Sequence, residues 1–185
     1  MSDERKKIIE RILEYEAEMF LRVPVDEEPS CRARMQDMIL HRRAQFAGWS
    51  DTTCLSYLDD LERAKASGMN LMTLKYARMD KLINPLSENP CIGEILDRFI
   101  TWQRDFISQY PVIMQGGRDI AGFARYLRAE LETYSGKTLE LLLADVVKAE
   151  QEKGNLSIAV YRELARQSGF SSLDDMEKAL SIQNH

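Results

Sequence analysis

Apolar residues recur along this chain at steps of three and four, the spacing of a helix that buries one face. Ile9, Ile12, Glu16, Met19 and Val23 form the first stripe, and Pro24 and Pro29 bracket the loop that follows. Met35, Ile39, Arg42, Phe46 and Trp49 form the second. Ser50 is placed to cap a third helix carrying Leu55, Leu58, Leu61 and Ala64, which stops near Gly68. Asn70 caps a fourth, with Leu71, Leu74, Tyr76 and Met79. Pro85 and Pro90 flank a linker, after which the pattern restarts with Leu96, Phe99, Gln103, Phe106 and Tyr110. A short last helix follows Ser172, which has Asp175 three residues on, as in a capping box. No stretch alternates in the way a strand requires, so the predicted class is all-α.

The second half repeats the first. A shift of 85 lays Trp49-Ser50 on Tyr134-Ser135, Asn70-Leu71 on Asn155-Leu156, Thr53 on Thr138 and Asp60 on Asp145. It also pairs Arg43 with Arg128, Ala44 with Ala129, Leu58 with Leu143, Ala64 with Ala149 and Tyr76 with Tyr161. A shift of 87 aligns the first helix, with Arg11 on Arg98, Tyr15 on Trp102, Glu18 on Asp105 and Pro24 on Pro111. Helical period alone would match apolar positions but not Ser, Thr, Asp, Asn and Pro at turns. The expected architecture is one domain of two duplicated four-helix units, packed about a pseudo-two-fold axis. Repeat one covers about 6–84, the linker 85–92, repeat two about 93–169 and a C-terminal helix about 172–182. A cleft near the axis is the default place for a site.

Differences between the halves point to candidate chemistry. Glu16 sits on the apolar seam of the first helix, where the second half has Gln103. Arg42 lies in the second stripe opposite Leu127, and Gln45 corresponds to Glu130. Burying a lone charge costs several kcal/mol, so these groups must find partners. One reading is a buried Glu16–Arg42 ion pair that fixes helix register. The functional reading is a polar pocket in which Arg42 holds an anionic group and Glu16 or Glu130 takes a proton, its pKa raised by apolar surroundings.

The start of the second helix, Ser30-Cys31-Arg32-Ala33-Arg34, and its counterpart Gln115-Gly116-Gly117-Arg118 offer free N–H groups beside Arg, which attract anions. Cys31 there could carry a lowered pKa and act as a nucleophile, although no His stands near it in sequence. Asp59-Asp60-Leu61-Glu62 is similar to the Asp-rich magnesium motif of helical terpene synthases. Arg63 stands where the last acid belongs and the second half keeps only Asp145, so the run reads as a solvated helix face. Met35, Met38, Met69, Met72 and Met79 read as core at helical spacing rather than as an adaptable surface.

Composition narrows the field. The chain has 185 residues, with 25 Lys+Arg against 30 Asp+Glu. An acidic balance disfavours a general nucleic-acid binder. No apolar run is long enough for a membrane span, and no signal core follows the first basic residues. Cys31, Cys54 and Cys91 are too few and too scattered for a disulfide framework or a zinc site, which fits a cytoplasmic protein. Neither His41 nor His185 belongs to a Glu-x-x-His pair, so a di-iron site lacks its ligands. No cofactor or metal is expected.

Several blocks resemble one family. Glu16-Ala17-Glu18-Met19-Phe20 is similar to its Glu-Trp-Glu-Met-Phe segment. Ser30-Cys31, Arg42, Gln45-Phe46 and Trp49 match its next block, and Gly68-Met69-Asn70-Leu71 with Lys75-Tyr76-Ala77-Arg78-Met79 the one after. Gly117-Arg118 and the run from Tyr126 to Ser135 resemble its C-terminal signature. The family is a bacterial domain of unknown function, DUF4125, and the resemblance spans nearly the whole chain. It carries no activity with it. It implies that Glu16, Glu18, Cys31, Arg42, Gln45, Arg118, Arg128 and Glu130 share one pattern. The chain departs from the family after Cys31, where Arg32, Ala33 and Arg34 replace acidic residues.

The expected function is binding, or acid–base transformation of elimination or cyclisation type, of a small anionic metabolite, in a bacterial biosynthetic pathway. Glu16, Glu130 and Cys31 are the catalytic candidates. Arg42, Gln45, Arg118, Arg128, Trp49 and Tyr134 are the binding candidates. The rival reading is a non-catalytic helical module that binds a protein partner or a second copy of itself.

Overall fold

The computed structural model describes residues 2–24 and 31–183, with the side chains of 31–34 and 183 outside that description. Among the described residues the backbone is helix and turn, without a strand. The helices are α1 (Asp3–Leu21), α2 (Cys31–Ala47), α3 (Asp51–Ala66), α4 (Leu71–Met79), α5 (Pro90–Gln109), α6 (Ile120–Leu131), α7 (Gly136–Gln151), α8 (Leu156–Gln167) and α9 (Leu173–Gln183).

Side-chain caps set most of the starts. Ser50 accepts from the Thr53 N–H and Asn70 from the Thr73 N–H, as the sequence predicts. Ser135 and Asn155 do the same for α7 and α8. Ser172 takes the Asp175 N–H at 3.1 Å. At the end of α3 the chain turns through Gly68 at φ +72, a left-handed conformation that glycine adopts without strain.

Two boundaries differ from expectation. The linker ends at Asn89, because Pro90 already occupies the first turn of α5, where its missing N–H is harmless. α6 starts at Ile120, not at the Gly-Gly-Arg segment. Asp119 caps it, accepting the Gly122 N–H at 2.8 Å.

α1 packs on α2, α3 and α4, and α5 packs on α6, α7 and α8. Between these groups α2 meets α8, α4 meets α6 and α3 meets α7, while α9 lies on α8. One apolar cluster runs through both groups, from Ile9 and Ile12 through Phe46, Leu61 and Ile95 to Leu139 and Val146. A second holds Phe106, Tyr110, Met114, Ala165 and Leu173, and so docks α9. Among the methionines, Met72 is buried and Met69 exposed, with Met35, Met38 and Met79 in between. No described helix is long and apolar enough to cross a membrane.

The α3–α7 contact is closed by two reciprocal caps. Asp60 of α3 accepts from Ser135 N at 3.0 Å and Thr138 Oγ1 at 2.7 Å, at the start of α7. Asp145 of α7 accepts from Ser50 N at 2.8 Å and Thr53 Oγ1 at 2.6 Å, at the start of α3. Each carboxylate thus meets the positive end of the opposite helix. Asp60 is buried, so the solvated-face reading holds for Asp59 and Glu62 and not for Asp60. Asp60→Ala and Asp145→Ala are each expected to lose about 1–2 kcal/mol in urea unfolding. The more buried Asp60 should cost more.

Candidate functional site

The most unusual feature of the interior is a set of charges. Glu16 of α1, Arg42 of α2, Lys75 of α4 and Glu130 of α6 are all at most 3% exposed. The apolar stripe of each helix carries its charge inward, because each residue falls on the face that packs the core. Arg42 stands one turn before Phe46, with its guanidinium 4.8 Å from that ring.

These groups pair completely. Arg42 Nε donates to Glu16 Oε1 and Oε2 at 3.0 and 2.8 Å. Arg42 Nη2 donates to Glu16 Oε1 and lies 3.5 Å from the Tyr57 hydroxyl. Its Nη1 donates to Gln45 Oε1 at 2.7 Å and to Glu130 Oε1. Glu130 Oε1 also accepts from the Tyr134 hydroxyl at 2.6 Å and from Gln45 Nε2 at 3.2 Å. Lys75 Nζ donates to Glu130 Oε2 at 3.2 Å and to the Tyr126 hydroxyl at 2.8 Å. Tyr57 donates to Glu16 Oε1 at 2.8 Å. Two carboxylates face two cations, so the network is neutral, and every N–H of the guanidinium has an acceptor.

This arrangement opposes the raised pKa that an apolar setting alone would give Glu130. Burial pushes its pKa up, but Arg42 and Lys75, with the hydrogen bonds from Tyr134 and Arg42, hold it well below the usual carboxylate range. Burial and neighbouring carboxylates raise the Tyr57 and Tyr134 hydroxyls well above their ordinary value, so both remain donors. Arg42 stays charged because Glu130 and Glu16 overcome the effect of burial. A depressed folded pKa stabilises the fold above the unfolded value and loses that contribution as pH falls. Unfolding free energy should therefore drop as pH falls below about 4, the ordinary carboxylate value. The acid slope should be shallower in Glu130→Gln, read by denaturant titration at each pH.

A cavity of about 220 Å³ lies beside the network. Trp49, Phe99, Phe123, Tyr126, Tyr134 and Tyr161 give it an aromatic wall. Tyr161 is held flat on Phe106, with ring centroids 4.3 Å apart at 11°. Arg42, Gln45 and Glu130 show one edge of the network to this space, and the exposed His41 stands at its rim.

The predicted residues divide accordingly. Arg42, Gln45, Glu130, Trp49 and Tyr134 converge on the cavity, while Glu16 lies behind Arg42 and outside its lining. Arg128 is exposed and does not line it. Arg118 is exposed too and donates to the Pro111 carbonyl at 2.8 Å. Gln115–Arg118, where an anion site is expected, precedes α6 and does not open it. The helix starts later, and the Asp119 carboxylate takes its free N–H. Gly117 makes room for Met114, since a Cβ there would lie 2.6 Å from Met114 Cε. Cys31 opens α2, and its side chain lies outside the described residues. Burial pushes the Cys54 thiol up to about 12, which removes it as a nucleophile. Among the described residues no three of His, Cys, Asp and Glu gather as metal ligands.

Sequence reasoning missed Lys75, Tyr57, Tyr126 and Ser157. The signal for Lys75 was present, because it stands one turn after Leu71 on the buried face of α4.

Comparison with characterised proteins and with solved structures finds no match. The family described as protein of unknown function (DUF4125) matches residues 6–178, nearly the full length. The run from Glu16 to Glu130 that builds the charge network and the cavity edge falls inside that match, and the chain belongs to the DUF4125 family.

Proposed function

We propose that the protein binds a small molecule in the cavity that α2, α5, α6 and α8 enclose, with the charge network as the scaffold that holds one wall. The carrying observation is the cavity itself, an aromatic-lined space of about 220 Å³ next to a few convergent polar groups. Binding is favoured over acid–base chemistry. Glu130 is held ionised by two cations and carries donors on both oxygens, so it is a poor proton acceptor.

We also read the chain as an internal duplication with a pseudo-two-fold arrangement. Helix starts support it: Asp51 and Gly136 are 85 apart, as are Leu71 and Leu156, and Asp3 and Pro90 are 87 apart. The reciprocal Asp60 and Asp145 caps support it as well.

The test is thermal unfolding against a fragment library, with wild type and Val160→Phe, whose added ring fills the cavity. A fragment at a hundred times its Kd should add about 2.7 kcal/mol to wild type and nothing to the variant. If no fragment shifts wild type and a protein partner co-purifies instead, the interaction-module reading replaces this one.

A further inference from the structure

The 85- and 87-residue shifts pair Gln103 with Glu16, Leu127 with Arg42, Leu142 with Tyr57 and Val160 with Lys75. All four second-half residues line the cavity. In the first half the corresponding side chains fill the core with the charge network. The space among Arg42, Tyr57, Lys75 and their apolar neighbours is only about 10 Å³. The second half therefore leaves open what the first half fills; Glu16, Arg42 and Lys75 have uncharged counterparts there, while Gln45 has Glu130.

The remaining charges at the cavity edge are spent. Arg42 has no free N–H, and Glu130 Oε1 already takes three donors. An anion or a cation placed there would meet no free counter-charge, at the full cost of desolvation. Besides Gln45 and the tyrosines, two neutral polar side chains face the space. Gln103, 3% exposed, lines the space together with Tyr161, and its amide offers both donor and acceptor positions. Ser157, 5% exposed, has no hydrogen-bond partner among the described residues. A glutamine amide presents an N–H beside a carbonyl oxygen and reads a donor–acceptor edge in two bonds, as it does with adenine. Aromatic walls favour a flat partner.

We propose that the cavity takes an uncharged, planar heteroaromatic molecule with a hydrogen-bond donor beside an acceptor, read by the Gln103 amide with the Ser157 hydroxyl. This rests on the cavity being a small-molecule site. It replaces the anion preference with selection against charge.

The test is calorimetric titration of the full chain with nicotinamide, adenine, nicotinate, benzylammonium and indole. Nicotinamide and adenine should bind saturably. Nicotinate and benzylammonium, which carry charge, should bind at least tenfold more weakly. Gln103→Met should weaken nicotinamide at least tenfold and leave indole, which lacks the acceptor, unchanged. Ser157→Ala gives an independent reading and should weaken nicotinamide severalfold, and unfolding midpoints verify that both variants fold. Equal or tighter binding of nicotinate or benzylammonium, no binding of either uncharged donor–acceptor probe, or no effect of both substitutions overturns the inference. If indole binds as well as nicotinamide and Val160→Phe abolishes both, the cavity stands as a site and only the donor–acceptor reading falls. If no probe binds wild type, both readings fall.

Discussion

Arg42→Leu is expected to cost about 3–5 kcal/mol of unfolding free energy, the loss that follows when a buried ion network is broken from one side. The substitution keeps an apolar side chain of reasonable size, so packing alone would not cost that much. The penalty comes from Glu16 and Glu130. Glu16 is 0% exposed and would keep only the Tyr57 hydroxyl, and Glu130 would depend on Lys75, Tyr134 and Gln45. Adding Glu16→Gln should return more than half of the loss. The pair of changes leaves one carboxylate and one cation, and installs the residue types that the 87- and 85-residue shifts align with them, Gln103 and Leu127. The four-corner cycle of wild type, two single variants and the double variant, measured in urea, reads the coupling directly. Additive losses would mean that the two groups act independently, against the hydrogen bonds between them.

Phe106→Ala is expected to cost a similar amount, about 3–5 kcal/mol, because a buried aromatic ring leaves a cavity that its surroundings fill only in part. Phe106 is 0% exposed and holds the second apolar cluster together. Its ring stacks on Tyr161 and lies 5.1 Å from Tyr110. Loss of the ring removes the support for α9 and for one aromatic wall of the cavity. The variant should therefore lose fragment binding as well as stability. Leu173→Ala weakens the α9 contact while keeping the Phe106 ring that stacks on Tyr161, and should lower stability while fragment affinity stays within a few-fold of wild type.

The fold was legible where local rules decide it. Ser50, Asn70 and Ser172 could be recognised as caps because a hydroxyl or amide before an apolar run has few other uses. The α6 start was not, because Gly116-Gly117-Arg118 resembled an anion-binding turn while Asp119 supplied an ordinary cap two residues before Ala121. Glu16 and Arg42 were legible as buried charges from their place in apolar stripes. Their full set of partners was not, because Glu130 is 88 residues from Arg42 and reaches it only when α6 and α2 face the same core. The sign of the Glu130 shift depends on those partners, so sequence context pointed the wrong way. The cavity was least legible. Leu142 and Val160, which the 85-residue shift aligns with the longer Tyr57 and Lys75, line it, and a missing volume has no residue to mark it.

The most direct measurement is the fragment-induced shift in unfolding midpoint on three proteins: wild type, Val160→Phe and the Glu16→Gln, Arg42→Leu double variant. If the cavity is the site and the charges are its scaffold, a fragment that shifts wild type keeps most of its effect in the double variant and loses it in Val160→Phe. A shift that survives Val160→Phe and vanishes in the double variant would place binding at the charges instead.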